Sequence, residues 1–287
     1  MILETLPSSL YALPNIEVIL KNTTSSIIFK SLSEKLEKKK MYLSSNAILL
    51  VIQGEQFVKG YKKSDLIVKK NEMVILPKDL YVVSDFVAKQ GRFEALIFFI
   101  SDDLIKKFLL ISSTKQDNSE AINSVLKTTV TQPISLFIHS LNQLYKQTQH
   151  NKALSDIKVL EFLLLLERQE NAKPLITSLI NPIKKRNIRE FMEENYLNNL
   201  NIHDYAVLTG RSISSFNRDF KRLFGTTPKK WLISKRLNKS HELLNTTKLN
   251  VTQIAMEVGY ENISHFIEAY KKTYGETPKA TARNNID

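Results

Sequence analysis

The sequence predicts an α+β chain, in which a β-barrel with added helices precedes an all-α part. Short apolar runs separated by turn residues fill residues 15–100, and longer helical stripes follow them. A pattern near the C terminus occurs twice, and each copy predicts two short helices joined by a glycine-containing turn. A chain of 287 residues is long enough for about two domains.

The first part of the chain contains short apolar runs of the kind that form strands. Turn signals such as Gln53-Gly54 and Pro77-Lys78-Asp79 separate them. The runs are Ile16–Leu20, Ile27–Phe29, Ala47–Ile52, Phe57–Val58, Leu66–Val68, Met73–Leu76, Tyr81–Val83 and Phe93–Ile100. Many short strands at regular spacing are typical of barrels and jelly rolls. The segments Val51–Val58 and Leu66–Pro77 resemble the strand–turn–strand core of a cupin-like barrel.

Two apolar segments after the strands predict helices. Ile134–Tyr145 carries its apolar residues at helical spacing, and Ile157–Leu166 is apolar nearly all round. A helix that apolar is buried, either against its own barrel or against a second subunit. Phe162, Leu163 and Leu166 are the candidate residues for a homodimer contact, and both interpretations stay open at this point.

Charge and cysteine content favour some classes of function and exclude others. The chain has 41 basic and 29 acidic residues, a net charge of +12, and the positive charge is densest after Ile183. This favours a polyanionic partner, with a lysine-rich solvated surface as the alternative. The absence of cysteine excludes disulfides, thiolate metal sites and cysteine catalysis. None of the five histidines lies in the barrel region, which argues against a metal-dependent cupin enzyme.

Other motifs of enzymes and membrane proteins are missing. Residues 1–20 lack a basic segment followed by a long apolar run, and the longest apolar runs are too short to span a bilayer. The sequence contains no phosphate-binding loop, dinucleotide fingerprint or nucleophile elbow. We therefore expect a cytoplasmic protein that is not an enzyme, needs no cofactor or metal and has no membrane partner.

The duplicated pattern begins with an asparagine that caps a helix. Asn201–Gly210 aligns with Asn250–Gly259, and the correspondence continues to the Thr-Pro pairs that end at Pro228 and Pro278. In each copy a capping residue three positions after the asparagine, and a glycine at the end of the first helix, predict the turn. Helix, tight turn and helix together match the helix-turn-helix motif of DNA-binding proteins.

These residues resemble the AraC family of bacterial transcription regulators. The resemblance covers the chain after residue 186, and its motifs are Ser212–Pro228, Trp231 with Arg236, Leu243-Leu244, Ile254-Ala255, Val258–Tyr260 and Phe266–Pro278. Gly54-Glu55, the leucine-rich helix and Phe191–Leu197 resemble, within that family, the subgroup that activates type III secretion genes.

The resemblance implies a domain order. We expect a cupin-like regulatory or dimerisation domain over residues 1–170 and an AraC-type DNA-binding domain over residues 186–287. Residues 171–185 contain Pro174, Pro182 and the basic run Lys184–Arg186, a composition that predicts the interdomain linker. The first domain either holds a small organic effector or serves as a platform for protein contacts.

The resemblance also implies that each unit places its second helix in one of two successive major grooves. The residues expected to read bases are Ser214, Asn217 and Arg218 in the first copy and Ile263, Ser264, Ile267 and Glu268 in the second. Arg218 suits a bidentate contact to guanine and Asn217 one to adenine. Glu268 departs from the family pattern and repels phosphate, so the alternative is that the second copy binds mainly through backbone contacts.

Lysines and arginines around the reading helices are expected to contact phosphates, which positions the protein without specifying sequence. They are Lys221, Arg222, Lys229, Lys230, Lys271 and Lys272. Trp231 and Arg236 are expected to brace the two copies, with Trp231 interpreted as a core anchor. The function expected from this pattern is a transcription regulator of double-stranded DNA, in particular an activator that recruits RNA polymerase. The alternative is a protein-interaction adaptor with residual DNA binding.

Overall fold

The computed structural model describes residues 3–87, 91–114, 126–145, 152–181 and 184–283. The chain divides into a front unit, Glu4–Pro182, and a rear unit, Ile183–Asp287. Within the described ranges, no helix has the length and apolar character needed to cross a membrane. The same ranges contain no group of three His, Asp or Glu side chains arranged to hold a metal ion.

The front unit is built on two sheets. Its strands are β1 Glu4–Leu6, β2 Ile16–Lys21, β3 Ser25–Leu32, β4 Leu36–Leu43, β5 Asn46–Gln53, β6 Glu55–Gly60, β7 Asp65–Lys69, β8 Glu72–Leu76, β9 Leu80–Phe86, β10 Phe93–Ile100 and β11 Leu126–Thr129. One sheet has the order β1-β4-β9-β6-β7, and the other has the order β11-β8-β5-β10-β3-β2. Each apolar run predicted as a strand lies within one of these strands.

Three strands lie outside the predicted runs: β1, β4 and β11. β4 has the sequence Leu-Glu-Lys-Lys-Lys-Met-Tyr-Leu, and its charged residues conceal the alternation that marks a strand. It pairs with both β1 and β9, and Lys39 Nζ lies 3.1 Å from Glu4 Oε1 on the neighbouring strand. Pairing with two strands therefore keeps this lysine-rich segment extended.

Apolar side chains fill the space between the two sheets. The buried members include Ile28, Leu49, Val51, Val58, Val83, Phe93 and Ile97. One polar group connects the sheets there: Lys30 Nζ on β3 lies 2.5 Å from Asp85 Oδ2 on β9. Gln56 on β6 donates from Nε2 to Asp85 Oδ1 at 2.6 Å. The carboxylate is thus paired and hydrogen-bonded, as a buried charge requires.

Helices cover the outer face of the six-stranded sheet. They are α1 Asp102–Ile111, α2 Gln132–Tyr145, α3 Lys152–Glu167 and α4 Lys173–Ile180. Phe162, Leu163 and Leu166 on α3 are fully buried in this core, and the Phe162 ring stacks 4.1 Å from that of Phe98 on β10. The prediction that these three residues form a dimer contact is therefore wrong, because they pack against their own sheet.

The expected linker also differs from the structure. Residues 170–180 form a short 3-10 turn, Glu170–Ala172, followed by α4. Leu175, Ile176 and Leu179 of α4 are buried in the core of the front unit. Pro174 lies in the first turn of α4, where proline fits without breaking a helix. This stretch therefore belongs to the front unit, and the boundary lies after it.

The rear unit is all helical in its described part. Its helices are α5 Ile188–Asn195, α6 Ile202–Leu208, α7 Ile213–Phe224, α8 Pro228–Thr246, α9 Val251–Glu257, α10 Ile263–Tyr274 and α11 Pro278–Arg283. We call α6 with α7 the first HTH unit and α9 with α10 the second HTH unit. The long helix α8 lies between them in the chain and contacts helices of both.

Candidate nucleic-acid interface

The two HTH units start and end as the sequence predicts. Asn201 forms a capping box with Asp204, and Asn250 forms one with Gln253. Each second helix ends at a glycine in the left-handed conformation, Gly225 at φ 68° and Gly275 at φ 81°. These local signals place α7 and α10 at equivalent positions in the two units.

α7 has one aromatic face and one polar face. Phe216 and Phe220 are fully buried, whereas Ser214, Asn217 and Arg218 are all exposed. Lys221 and Arg222 are exposed as well. Leu223 is 40% exposed. Phe224 is half-buried, with its ring 4.3 Å from that of Phe220. The predicted reading residues are therefore accessible along one side of the helix.

α10 presents a less polar surface. Ser264 and Glu268 are exposed, and so are Lys271 and Lys272. Ile263 and Ile267 are only half exposed, because they pack against the core of the second HTH unit. Lys229 and Lys230, at the start of α8, are exposed. The predicted DNA residues of the second HTH unit thus include two side chains that also stabilise its core.

A carboxylate on α7 gathers three arginines, and sequence reasoning did not predict this cluster. Arg211 Nε donates to Asp219 Oδ2 at 3.2 Å, and the nearest atoms of Arg218 and Arg222 lie 3.6 and 3.8 Å from Oδ1. The hydrogen bond from Arg211, followed by the charges of Arg218 and Arg222, holds the pKa of Asp219 below its usual value. Asp219 therefore stays ionised at neutral pH.

Arg236 on α8 connects the two HTH units. Its Nε donates to Tyr196 O at 2.8 Å and its Nη2 to Asn198 O at 2.7 Å, on the segment that leads into α6. Its Nη1 donates to Gly259 O at 3.1 Å, in the turn of the second HTH unit. A Cβ on Gly259 would lie 2.7 Å from Leu197 O, so this turn requires glycine for space as well as for its φ of 84°.

The aromatic contacts described for Trp231 are with rings of the first HTH unit and of the segment before it. Its ring centroid lies 5.1 Å from Phe224, 5.7 Å from Phe220 and 6.2 Å from Tyr196. The described contacts therefore support the core-anchor interpretation. They assign the link between the units to Arg236 rather than to Trp231.

Tyr205 links α6 to the end of α5. Its hydroxyl donates to Asn195 O at 2.9 Å, and burial raises the pKa of Tyr205 to about 12. Because the neutral form is the one that donates, the hydroxyl keeps this bond throughout the neutral range. The bond fixes the start of the first HTH unit on the preceding helix.

The chain matches two protein-family models in these two regions. A helix-turn-helix domain matches residues 205–284, and the ExsA N-terminal regulatory domain matches residues 46–178. The first match contains the helices from α7 to α11 entire. The second covers most of the front unit, including the strands from β5 to β11.

Proteins similar to this chain are transcription regulators by name. The chain is 27% identical over 190 residues to the virulence regulon transcriptional activator VirF of Yersinia enterocolitica, covering 66% of this chain and 70% of VirF. It is 23% identical over 239 residues to the HTH-type transcriptional regulator ExsA of Pseudomonas aeruginosa, covering 80% of this chain and 84% of ExsA.

A solved structure of apo ToxT from Vibrio cholerae aligns with 92% of this chain and 98% of its own, at 15% identity and a TM-score of 0.47. With the paired HTH units, the long helix α8 and the two family matches, the chain belongs to the AraC family of bacterial transcription regulators, in the subgroup with an ExsA-type regulatory domain, and is not an enzyme.

Proposed function

We propose that this protein is a cytoplasmic activator of transcription in which the first HTH unit supplies most of the affinity and specificity for DNA. The observation that carries the proposal is the exposed polar face of α7. The second HTH unit has isoleucine and glutamate where the first has Asn217 and Arg218. Exposed donors that match base edges support reading by α7, whereas a glutamate beside phosphates opposes binding by α10.

The roles of individual residues follow from their chemistry. Arg218 reads a guanine, Asn217 an adenine, and Ser214 makes an adaptable contact. Lys221, Arg222, Lys229, Lys230, Lys271 and Lys272 contact phosphates. In the second HTH unit, Ser264 and Glu268 contact base edges, and the exposed parts of Ile263 and Ile267 touch thymine methyl groups. Arg236 braces the two units.

The test begins with the selection of a binding site by the purified protein from a pool of random duplexes. Replacing Arg218 by Ala should weaken binding to the selected site by about 1–3 kcal/mol and relax one base position. Replacing Lys221 by Ala should weaken binding to all duplexes alike and lower the salt slope by about one. Fluorescence anisotropy over a salt series measures both. An unchanged sequence preference for Arg218→Ala would contradict its reading role.

Activation is proposed from the relatives. VirF is a transcriptional activator of a virulence regulon, and ExsA shares the regulatory domain. We propose that this chain recruits RNA polymerase to promoters of type III secretion genes. Transcription in vitro with purified bacterial RNA polymerase on a promoter that carries the selected site should rise when the protein is added. A fall in transcript would identify a repressor instead.

The front unit supplies regulation in this proposal, by binding an effector and by forming a homodimer. Because side chains fill the barrel interior, the effector site is proposed in a cleft of about 590 Å³ on the outer face of the six-stranded sheet. Its lining includes Glu17, Phe29, Ser31, Glu94 and Asn142. A homodimer must use surface residues, since Phe162 and its neighbours are buried. Light scattering at micromolar concentration that returns only monomer mass would reject the homodimer.

A further inference from the structure

We propose that Asp219 is a positioning residue, which holds the Arg218 guanidinium in the orientation that reads a guanine. The inference rests on the proposed reading role of Arg218. Asp219 touches no base itself but determines how well the base read by Arg218 is distinguished from the others. The geometry around the Asp219 carboxylate supports this role.

Asp219 is itself anchored to the backbone through Arg211. Arg211 Nε donates to Asp219 Oδ2 at 3.2 Å, and the Arg211 side chain is only 13% exposed. Arg211 Nη1 donates to two backbone carbonyls, Arg186 O at 2.9 Å and Thr209 O at 2.6 Å. Arg186 O lies just before α5, and Thr209 O lies at the end of α6. The Asp219 carboxylate is therefore fixed, through Arg211, to the body of the first HTH unit.

Arg218 approaches the Asp219 carboxylate with its Nε side. Arg218 Nε lies 3.6 Å from Asp219 Oδ1, while the side chain remains 76% exposed. Within the described part of the chain, the two terminal nitrogens of Arg218 make no hydrogen bond. Those two nitrogens form the parallel pair of donors that matches O6 and N7 of guanine. An arginine held through Nε therefore presents its reading edge outward.

Arg222 provides an internal contrast. It approaches Asp219 Oδ1 with Nη2, at 3.8 Å, so one of its terminal nitrogens faces the carboxylate. That orientation leaves a poorer pair of donors for a base edge and suits contact with a phosphate. The same carboxylate thus gives the two exposed arginines different roles.

The orientation of Arg218 before binding lowers the entropic cost of its contact with DNA. A free arginine side chain loses rotamer entropy when it docks on a base, and a side chain oriented beforehand loses less. The carboxylate also opposes DNA phosphates, but three guanidinium groups surround it and offset its charge. Asp219 should therefore improve discrimination between bases, while affinity for unrelated DNA should be equal to or slightly lower than it would be without the carboxylate.

The second HTH unit lacks this arrangement. Ala269 occupies the position equivalent to Asp219, and Glu268 the position equivalent to Arg218. If the carboxylate served the shared scaffold, both copies would need one. Its presence in the first copy alone supports a role in the contact that only this copy makes.

The test compares Asp219→Asn with Glu268→Gln in the full-length chain. Both variants remove one negative charge from a DNA-facing helix, and the asparagine oxygen still accepts from Arg211. The probes are the duplex selected by the wild-type protein, the same duplex with the guanine read by Arg218 replaced, and an unrelated duplex. Dissociation constants from fluorescence anisotropy give the discrimination ratio of each variant.

We expect Asp219→Asn to lower the ratio between the first two duplexes by about tenfold. Its affinity for the unrelated duplex should stay equal or rise, and its melting temperature should stay near that of the wild-type protein. In the Arg218→Ala background, adding Asp219→Asn should lower the ratio no further. Glu268→Gln alters a contact of the other HTH unit, so it should change the affinity for the first two duplexes by the same factor and leave their ratio unchanged. Asp219→Glu, which restores the charge but displaces the carboxylate, should recover only part of the ratio.

Three results would overturn the proposal. A discrimination ratio that Asp219→Asn leaves unchanged would reduce Asp219 to a repelling charge. An equal loss on all three duplexes with a lower melting temperature would make Asp219 a structural residue. Full additivity with Arg218→Ala would separate the two side chains. A wild-type protein that selects no site at all would instead reject the proposed function, which is a different outcome from any of these.

Discussion

The two HTH units share a scaffold but differ in the chemistry of their interiors. In the first, Phe216, Phe220 and Phe224 form a cluster of aromatic rings with Trp231. The second has Phe266, Tyr270 and Tyr274 at the equivalent positions. There, Tyr270 OH shares a hydrogen bond with His241 Nδ1 at 2.6 Å and donates to Thr281 Oγ1 at 3.1 Å, and Tyr274 OH donates to Asn238 Oδ1 at 2.9 Å.

The DNA-facing surfaces differ as well. The first HTH unit combines phenylalanine rings on the inner face of α7 with a polar, basic reading face, whereas the second combines hydrogen-bonded tyrosines on α10 with isoleucine and glutamate on its DNA-facing side. A duplicated fold therefore keeps its caps, glycines and aromatic positions while its contact residues diverge. Packing restricts the inner positions tightly, and only the target restricts the outer ones.

The largest expected effect concerns the turn of the second HTH unit. Gly259→Ala should lower the free energy of unfolding by at least about 3 kcal/mol, because the new Cβ meets Leu197 O and the backbone φ is positive. Gly275→Ala is the matched control: its φ is also positive but nothing lies within 4 Å, so about 1 kcal/mol is expected. Urea denaturation measures both. Equal losses would show that the turn has room to relax.

An exchange of one hydroxyl between the two cores should have a middle-sized effect. Phe220→Tyr places a hydroxyl on a fully buried ring and should cost about 2 kcal/mol. Tyr270→Phe removes the bonds to His241 and Thr281 and should cost about 1 kcal/mol. Thermal melting followed by circular dichroism compares the two. A stable Phe220→Tyr variant would mean that the first core already tolerates a polar group.

The smallest expected effect is on the charge of α10. Glu268→Gln removes an exposed carboxylate that opposes DNA phosphates. Affinity for unrelated duplex DNA should rise by less than about tenfold, and the gain should shrink as salt is added. Anisotropy titrations at two salt concentrations measure the change. A loss of affinity would show that Glu268 makes a favourable base contact.

Sequence reasoning succeeded where the signal is local. The capping asparagines and the glycine at each turn specify the HTH units within a few residues, so repeat, helices and exposed reading faces are predictable. It failed for α4, where Pro174 suggested a linker but occupies a first helical turn. Periodicity also cannot distinguish burial within the same chain from burial in a dimer. The sequence therefore left both interpretations of the apolar residues of α3 open. The pairing of Arg211 with Asp219 depends on the turn between helices, and no pattern of adjacent residues reveals it.

Arg236 has a consequence for the promoters this protein can use. Its bonds connect the segment that leads into α6 with the turn of the second HTH unit, and they should therefore restrict the distance and the rotation between α7 and α10. A duplex turns by about 35° per base pair, so inserting a single pair between the two contact sequences turns one of them away from its helix. Functional sites should therefore share one separation between their two halves, and promoters can vary in sequence more freely than in spacing.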